Sequence, residues 1–296
     1  MILVVGATGM LGTEICRQLT SEGKPVRAMV RETSDQTKTE KLKEISVELV
    51  QGDLRDSSTF EPALKEVDTV ITTISSMPFS YVPGENDVQT VDLDGMTNFI
   101  DSAKKAGIQH FIYTSFSKQI DLNFPLRNAK RSVEEHLQKS GMDYTILRPS
   151  CFMEVWLTKA VGFDTENGKV QLFGEGTNPV SYISYLDVGK FAIESLNNPS
   201  AKNVTLELGG PEKISQLDAV KIFEEVSGQK IDVQNVPEIG LQLQLDEATD
   251  PMQKSFSGLM LCIANGDPID MKEVLQAFPI KLTSVKEFAQ SVTASS

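Results

Sequence analysis

Three glycines spaced three apart, Gly6, Gly9 and Gly12, stand in the stretch VVGATGMLG. They follow a short apolar run, ILVV, of the kind buried on both faces of a parallel sheet. After them Leu11, Ile15 and Leu19 recur every four residues and fall on one face of a helix. Strand, glycine turn and helix start, in that order, are the context in which a glycine pattern holds a dinucleotide. One glycine permits the tight turn, one lets the backbone approach a pyrophosphate, and one lets helix and strand pack closely. The new helix offers free N–H groups and a partial positive charge to the phosphates. The residues Gly6, Ala7, Thr8, Gly9, Met10, Leu11 and Gly12 are therefore the expected phosphate cradle. A purely structural glycine turn is the other reading of the same residues.

Other side chains that could do chemistry are thinly spread. Cys16, Cys151 and Cys262 are far apart, with no C-x-x-C spacing. That argues against a disulfide framework and against a zinc knuckle. His110 and His136 form no ligand cluster with cysteine or aspartate, so no metal is expected. Cys151 reads as a buried inert thiol rather than a reactive one. Two segments, SSMPFSYVPG and CFMEVW, gather large apolar side chains: Met77, Phe79, Tyr81, Phe152, Met153 and Trp156. Together they would suit a flat apolar guest. Taken singly, each also reads as ordinary core. The stretch SSMPFSYVPGEND is long and irregular, as binding loops are.

The elements that must position these groups alternate. Strands are expected at PVRAMVR, VELVQGD, DTVITTIS, HFIYTSFS and DYTILRP. Between them come helices at TKTEKLKEI, at SSTFEPALKEV with a serine cap, at DVQTVDLDGMTNFIDSAKKAG and at RNAKRSVEEHLQKSG. Such alternation predicts parallel strands with right-handed crossovers, a doubly wound α/β sheet with helices on both faces. Near Pro149 the rhythm breaks. CFMEVWLTKAVGF reads as a helix, VTLELGG as a strand, SQLDAVKIFEEVSG as a capped helix, and the last 60 residues as mostly helical. The expected division is a dinucleotide-binding domain over 1–150 and a small α+β substrate lobe over 151–296, with 182–208 able to return to the first. Asp187 reads as a helix cap.

Residues VVGATGMLG, YTSFS, NAKRSVEEHLQKSGMDYTILRPSCFME and YISYLDVGKFAIESL resemble the NmrA-like family, an atypical branch of the short-chain dehydrogenase/reductase superfamily. The resemblance is strong to about residue 200. It implies a Rossmann domain that binds NAD(P) and a C-terminal substrate lobe. Arg31, after the second strand, falls where relatives that prefer NADPH carry an arginine, and its guanidinium suits a 2′-phosphate. Glu32 beside it suits the ribose hydroxyl of NAD instead. NADP(H) is the expected cofactor. Asp53 and Leu54 fall where related folds hold adenine; Asp53 also reads as a turn residue bonding its own backbone. Thr73, Ile74 and Ser75 fall where the backbone passes under the cofactor. Thr114 and Ser115 fall on its nicotinamide side, with Phe116 in the slot of the family's serine. Pro149 and Ser150 stand where the backbone meets the nicotinamide amide in relatives.

The resemblance also assigns Lys130 to the lysine that contacts the cofactor and can serve as a general acid. The tyrosine that most short-chain reductases carry four residues earlier is replaced by Leu126, which cannot exchange a proton. Quinones need no strong acid, because water can protonate their reduced oxygens; azo bonds and conjugated enones are related cases. The expected activity is therefore NADPH-dependent reduction of a quinone or similar flat acceptor. The alternative is an NADP-sensing regulatory or assembly protein of the same family, with a protein partner and little catalysis.

The formal net charge, 28 − 41 = −13, disfavours nucleic acid as a partner. No apolar run approaches the ~20 residues of a membrane span. With no secretory pattern and few cysteines, a cytoplasmic monomer or homodimer is expected.

Overall fold

The computed structural model describes residues 1–77, 81–119 and 121–294. Phe79, one of the expected apolar contacts, lies outside them. The chain divides into two compact units. The first comprises Met1–Ser115, Asn128–Leu147 and Val188–Leu206. The second comprises Phe116–Arg127, Arg148–Asp187 and Glu207–Ser296.

A seven-stranded sheet supplies the frame of the first unit. Its strands are β1 (Ile2–Val5), β2 (Val26–Val30), β3 (Glu48–Gln51), β4 (Thr69–Thr72), β5 (His110–Thr114), β6 (Asp143–Pro149) and β7 (Val204–Leu208). They lie in the order β7-β6-β5-β4-β1-β2-β3. The pairings of β1 with β2 and β4, β2 with β3, β4 with β5 and β5 with β6 are all parallel. This is the doubly wound sheet expected from the alternating elements. Its order reverses between β1 and β4, and ligands bind at such a reversal, beyond the carboxyl ends of the strands.

Helices α1 (Met10–Ser21), α2 (Gln36–Glu44), α3 (Phe60–Leu64), α4 (Met96–Lys105) and α5 (Pro125–Ser140) connect the first six strands. One face of the sheet is sealed by Phe60 of α3, Phe99 of α4 and Phe111 of β5, all essentially inaccessible to water. Phe60 and Phe99 meet edge to face at 5.0 Å, and Phe99 and Phe111 at 6.3 Å. Val133 and Leu137 of α5, four residues apart, close the same cluster.

Three local details differ from the sequence reading. In place of the serine cap expected for α3, Asp56 caps a short 3-10 turn, Ser57–Thr59, by accepting the Ser58 N–H, and α3 follows with Thr59 as an N-cap that makes no side-chain bond. The long helix expected between β4 and β5 begins as a π-helix, Val88–Gly95, before α4. Residues 151–163 form only a single turn, Met153–Trp156, and a 3-10 turn, Lys159–Val161. Gly162, with φ of +88°, ends that second turn.

The second unit carries a three-stranded sheet of Phe163–Asp164, Lys169–Phe173 and Asp232–Val236, the last of these a strand that the sequence reading did not expect. Its helices include Gln216–Ser227, started by a capping box in which Ser215 and Asp218 bond each other's backbone N–H. Phe223 of that helix stacks edge to face on Phe163 and Phe288, at 5.2 and 6.3 Å. Among the described residues no helix is long and apolar enough to cross a membrane.

Phe99→Ala should lower the stability of the chain by about 3–5 kcal/mol, since it empties the centre of the aromatic cluster. Urea unfolding followed by circular dichroism measures the loss.

Candidate functional site

The glycine turn joins β1 to α1 at the point where the sheet order reverses. Gly6 has φ of +89°, a left-handed conformation, and a Cβ there would lie 2.7 Å from the Thr73 hydroxyl oxygen. A Cβ on Gly12 would overlap the Gly6 carbonyl, so α1 seats directly on the turn. Gly9 is different. It is exposed, and a Cβ there would meet only the Gly6 carbonyl oxygen, at 3.3 Å. Gly6 and Gly12 are thus demanded by the protein's own packing. Gly9 leaves an open surface at the head of the helix. Gly9 is also the N-cap of α1 and offers no side-chain cap, and no acidic residue lies in the first turn. This end of the helix lacks an anion, which a pyrophosphate would supply. Thr13 fixes the turn by donating to the Ala7 carbonyl at 2.8 Å. Ala7 and Leu11 are buried beneath it, Thr8 is half-buried, and Met10 is exposed.

Past β2, the Arg31 guanidinium donates to Asn86 Oδ1 at 2.7 Å, and the Arg31 N–H donates to Ser34 Oγ. Glu32 is exposed. Past β3, Asp53 takes the turn role foreseen for it: its carboxylate accepts the Arg55 backbone N–H at 3.0 Å. The Arg55 guanidinium grips the same carboxylate at 2.6 Å. Burial raises the Asp53 pKa, but the Arg55 bonds outweigh it and hold the carboxyl below its ordinary value. Leu54 is buried. Asp53, Leu54, Arg55, Gly84, Glu85 and Thr90 are among the residues lining an open groove of about 520 Å³.

The ends of β4 and β5 are tied together from below. Lys130 of α5 is only 2% exposed. Its ammonium donates to the carbonyls of Ile74, at 2.6 Å, and Thr114, at 3.4 Å. It stands 3.7 Å from Asp92 Oδ1 and 5.1 Å from the centre of the Tyr113 ring. Asp92, itself buried, accepts the Ser76 N–H at 3.0 Å and the Ser76 hydroxyl at 2.5 Å. Burial pushes the Lys130 pKa down and the Asp92 pKa up, because each charge is held away from water. Thr73 N–H joins the Val5 carbonyl, linking β4 to the glycine turn, while the Ser75 hydroxyl accepts the Met77 N–H. Ser115 is buried and its hydroxyl accepts from Arg131, which also pairs with Glu134 at 2.8 Å. The Thr114 hydroxyl is buried with no hydrogen-bond partner. An orphaned hydroxyl beside the strand end is a feature that a bound cofactor can satisfy.

Asp92 is the functional residue that the sequence did not reveal. It stands on the π-helix, where the Met96 N–H reaches back five residues to the Val91 carbonyl. A π-turn widens the helix by one residue and is common at working sites. The only sequence signal is a carboxylate inside an otherwise apolar helical face.

The remaining expected residues lie in the second unit, apart from Tyr81, which is half-buried in the first. The Pro149 carbonyl accepts the Ser117 N–H, and the Ser150 N–H joins the Leu208 carbonyl. Phe116, Phe152 and Trp156 are half-buried, Met153 is fully buried, and the Trp156 ring meets Phe173 edge to face. Cys151 is buried, and burial raises its thiol well above the usual range, which makes it inert. Leu126 is buried and donates its N–H to Ser255. Asp187 lies inside the first turn of the helix Tyr185–Glu194 and accepts the Thr283 N–H.

Two substitutions separate the glycines. Gly12→Ala should destabilise the fold by about 1–3 kcal/mol through overpacking, whereas Gly9→Ala should leave the melting temperature near its original value. Both should weaken dinucleotide binding, as measured by titration calorimetry. Lys130→Met leaves the Asp92 carboxylate buried without its cation and should cost about 3–5 kcal/mol; adding Asp92→Asn should recover part of that loss. A double-mutant cycle in urea gives the coupling.

Set beside known proteins, the chain is 32% identical, over 82% of its length and 74% of the other, to the photosystem II assembly factor Ycf39 of Trieres chinensis. It is 29% identical to the NAD(P)H azoreductase of Xenophilus azovorans, over 78% of this chain and 75% of that one. Among solved structures it resembles an NADPH-dependent quinone oxidoreductase of Escherichia coli in complex with NADPH, with a TM-score of 0.79 and 22% identity over 99% of this chain and 100% of that one. The model of the NmrA-like family matches residues 1–289. With the glycine turn, the sheet order and this match in agreement, the chain belongs to the NmrA-like family.

Proposed function

We propose that the protein is an NADPH-dependent reductase of a quinone or a similar flat conjugated acceptor. The observation that carries the cofactor reading is the head of α1: an exposed glycine N-cap, no side-chain cap and no acid in the first turn. Arg31 adds the preference for NADP(H), because a guanidinium at the end of β2 pairs with a 2′-phosphate. The azoreductase and quinone oxidoreductase among its likenesses support the same reading. NADPH, when bound, supplies a hydride.

This chain's own residues would hold the pyrophosphate at Gly9 and Met10, the adenosine along Asp53 and Leu54, and the nicotinamide side near Thr114. Residues 151–296 would form the substrate-binding region, with Phe152 and Trp156 as its apolar contacts. Lys130 would act on the reaction by holding the Ile74 and Thr114 carbonyls in place. Its ammonium is buried and bonded to them, and Leu126 offers no proton. Acceptors whose reduced form takes its proton from water fit such a site.

A second reading has its own support. The relative at 32% identity carries the name of an assembly factor, so a cofactor-sensing protein with a protein partner fits the same architecture.

Enzyme, NADPH and a panel of quinones, enones and azo compounds should give decay of the NADPH absorbance that depends on the enzyme. With NADPH binding confirmed by calorimetry, absence of decay across the panel would overturn the reductase and favour the sensor.

A further inference from the structure

The turn Val82–Asn86 reaches back to the end of β2. Asn86 is 6% exposed, and its side-chain oxygen accepts from Arg31 at 2.7 Å. Its own backbone is fixed from both directions: the Asn86 N–H donates to the Val82 carbonyl and the Val82 N–H donates to the Asn86 carbonyl, at 2.8 and 2.9 Å. The turn between them is closed by Gly84, whose φ is +75° and whose N–H donates to Asp87 at 2.7 Å. Asp87 in turn caps the π-helix. The main chain of Asn86 is thus fixed by backbone hydrogen bonds, and its buried side chain presents the accepting oxygen from that fixed base.

The charges around Arg31 make the choice of an amide significant. The Asp53 carboxylate is gripped by Arg55, at 2.6 Å, and feels the Arg31 charge through space without a hydrogen bond to it. Among the described residues Arg31 enters no ion pair; the partner of its guanidinium is the neutral Asn86 amide. A carboxylate in that place would bind the guanidinium and cancel its charge. An amide orients one edge of the fork and leaves the positive charge for a ligand. The groove past β3 is lined by Gly84 and Glu85 of the same turn, so the turn borders the place proposed for the adenosine.

We propose that Asn86 is a positioning residue for cofactor choice: it orients Arg31 toward the 2′-phosphate and thereby sets the preference for NADP(H) over NAD(H). The inference rests on the NADP(H) reading of Arg31 given above. It makes the turn Val82–Asp87 part of the selectivity device, although that turn is more than fifty residues from Arg31 in the chain.

Titration calorimetry of the full chain with NADP⁺ and with NAD⁺ tests it. Asn86→Ala should weaken NADP⁺ about tenfold, the order of one oriented charged hydrogen bond, and leave NAD⁺ within about twofold. Asn86→Asp is isosteric, keeps the turn's shape, and should weaken NADP⁺ further while sparing NAD⁺, because the new carboxylate competes with the phosphate. Arg31→Ala is the reference and should abolish the discrimination. If Arg31→Ala leaves the ratio of the two affinities unchanged, the NADP(H) reading itself fails. If Arg31→Ala collapses the ratio but the Asn86 variants leave it alone, or weaken both cofactors equally, the role of Asn86 is overturned. Thermal melting of each unliganded variant separates misfolding from a change in preference, and Asn86→Asp carries the test if Asn86→Ala does not fold.

Discussion

An ammonium group with almost no access to water sits under the carboxyl ends of two adjacent strands, and much of the first unit is arranged to tolerate it. Burying a charge costs several kcal/mol unless it is paired and hydrogen-bonded. Lys130 meets both conditions, with Asp92 as counter-ion and the Ile74 and Thr114 carbonyls as acceptors. Each of these partners comes from a different element. The ammonium therefore joins α5, the π-helix, the segment after β4 and the end of β5 at one point. The strand ends at which the cofactor is proposed to lie are held by a buried charge.

The same economy runs through the neighbouring polar groups. Asp92 also fixes Ser76, Arg131 links Ser115 to Glu134, and Thr73 joins β4 to the glycine turn. Among the groups left without a hydrogen bond are the Thr114 hydroxyl and the bare head of α1. Both lie in the first unit, beyond the carboxyl ends of its strands or at the sheet reversal. A rigid frame with a few unmet polar groups is what preorganised binding requires, since no ordering cost is then charged to the ligand.

How much of this was written in the sequence depends on the range of each interaction. The alternating strands and helices were legible, because periodicity is a property of neighbours. So was the glycine turn, although its spacing alone could not tell that Gly12 serves helix seating while Gly9 faces outward. The serine cap was misplaced, since Asp56 beside Ser57 is an equally good cap and starts a 3-10 turn, while α3 itself starts after Thr59, an N-cap that makes no side-chain bond. The strand Asp232–Val236 was missed because its alternation is weak and its partner, Lys169–Phe173, is far away in the chain. Asp92 was illegible for a stronger reason. Its role depends on Lys130, 38 residues later, and on a helix one residue wider than the pattern assumed. The Arg31–Asn86 bond spans 55 residues and leaves no periodic trace.

The π-helix also constrains which changes in length this chain can accept. A π-turn holds one residue more than the α-turn it replaces, so deletion of a single residue within Val88–Gly95 would convert it to ordinary helix without breaking the chain's course. The helix on either side of the deletion would keep its place, and only the side chains within the turn, Asp92 among them, would change direction. Asp92 could no longer face both Ser76 and Lys130. Loops elsewhere on the surface can gain or lose residues freely, but this helix is a place where one missing codon would disconnect a buried charge from its counter-ion while leaving the outline of the fold intact.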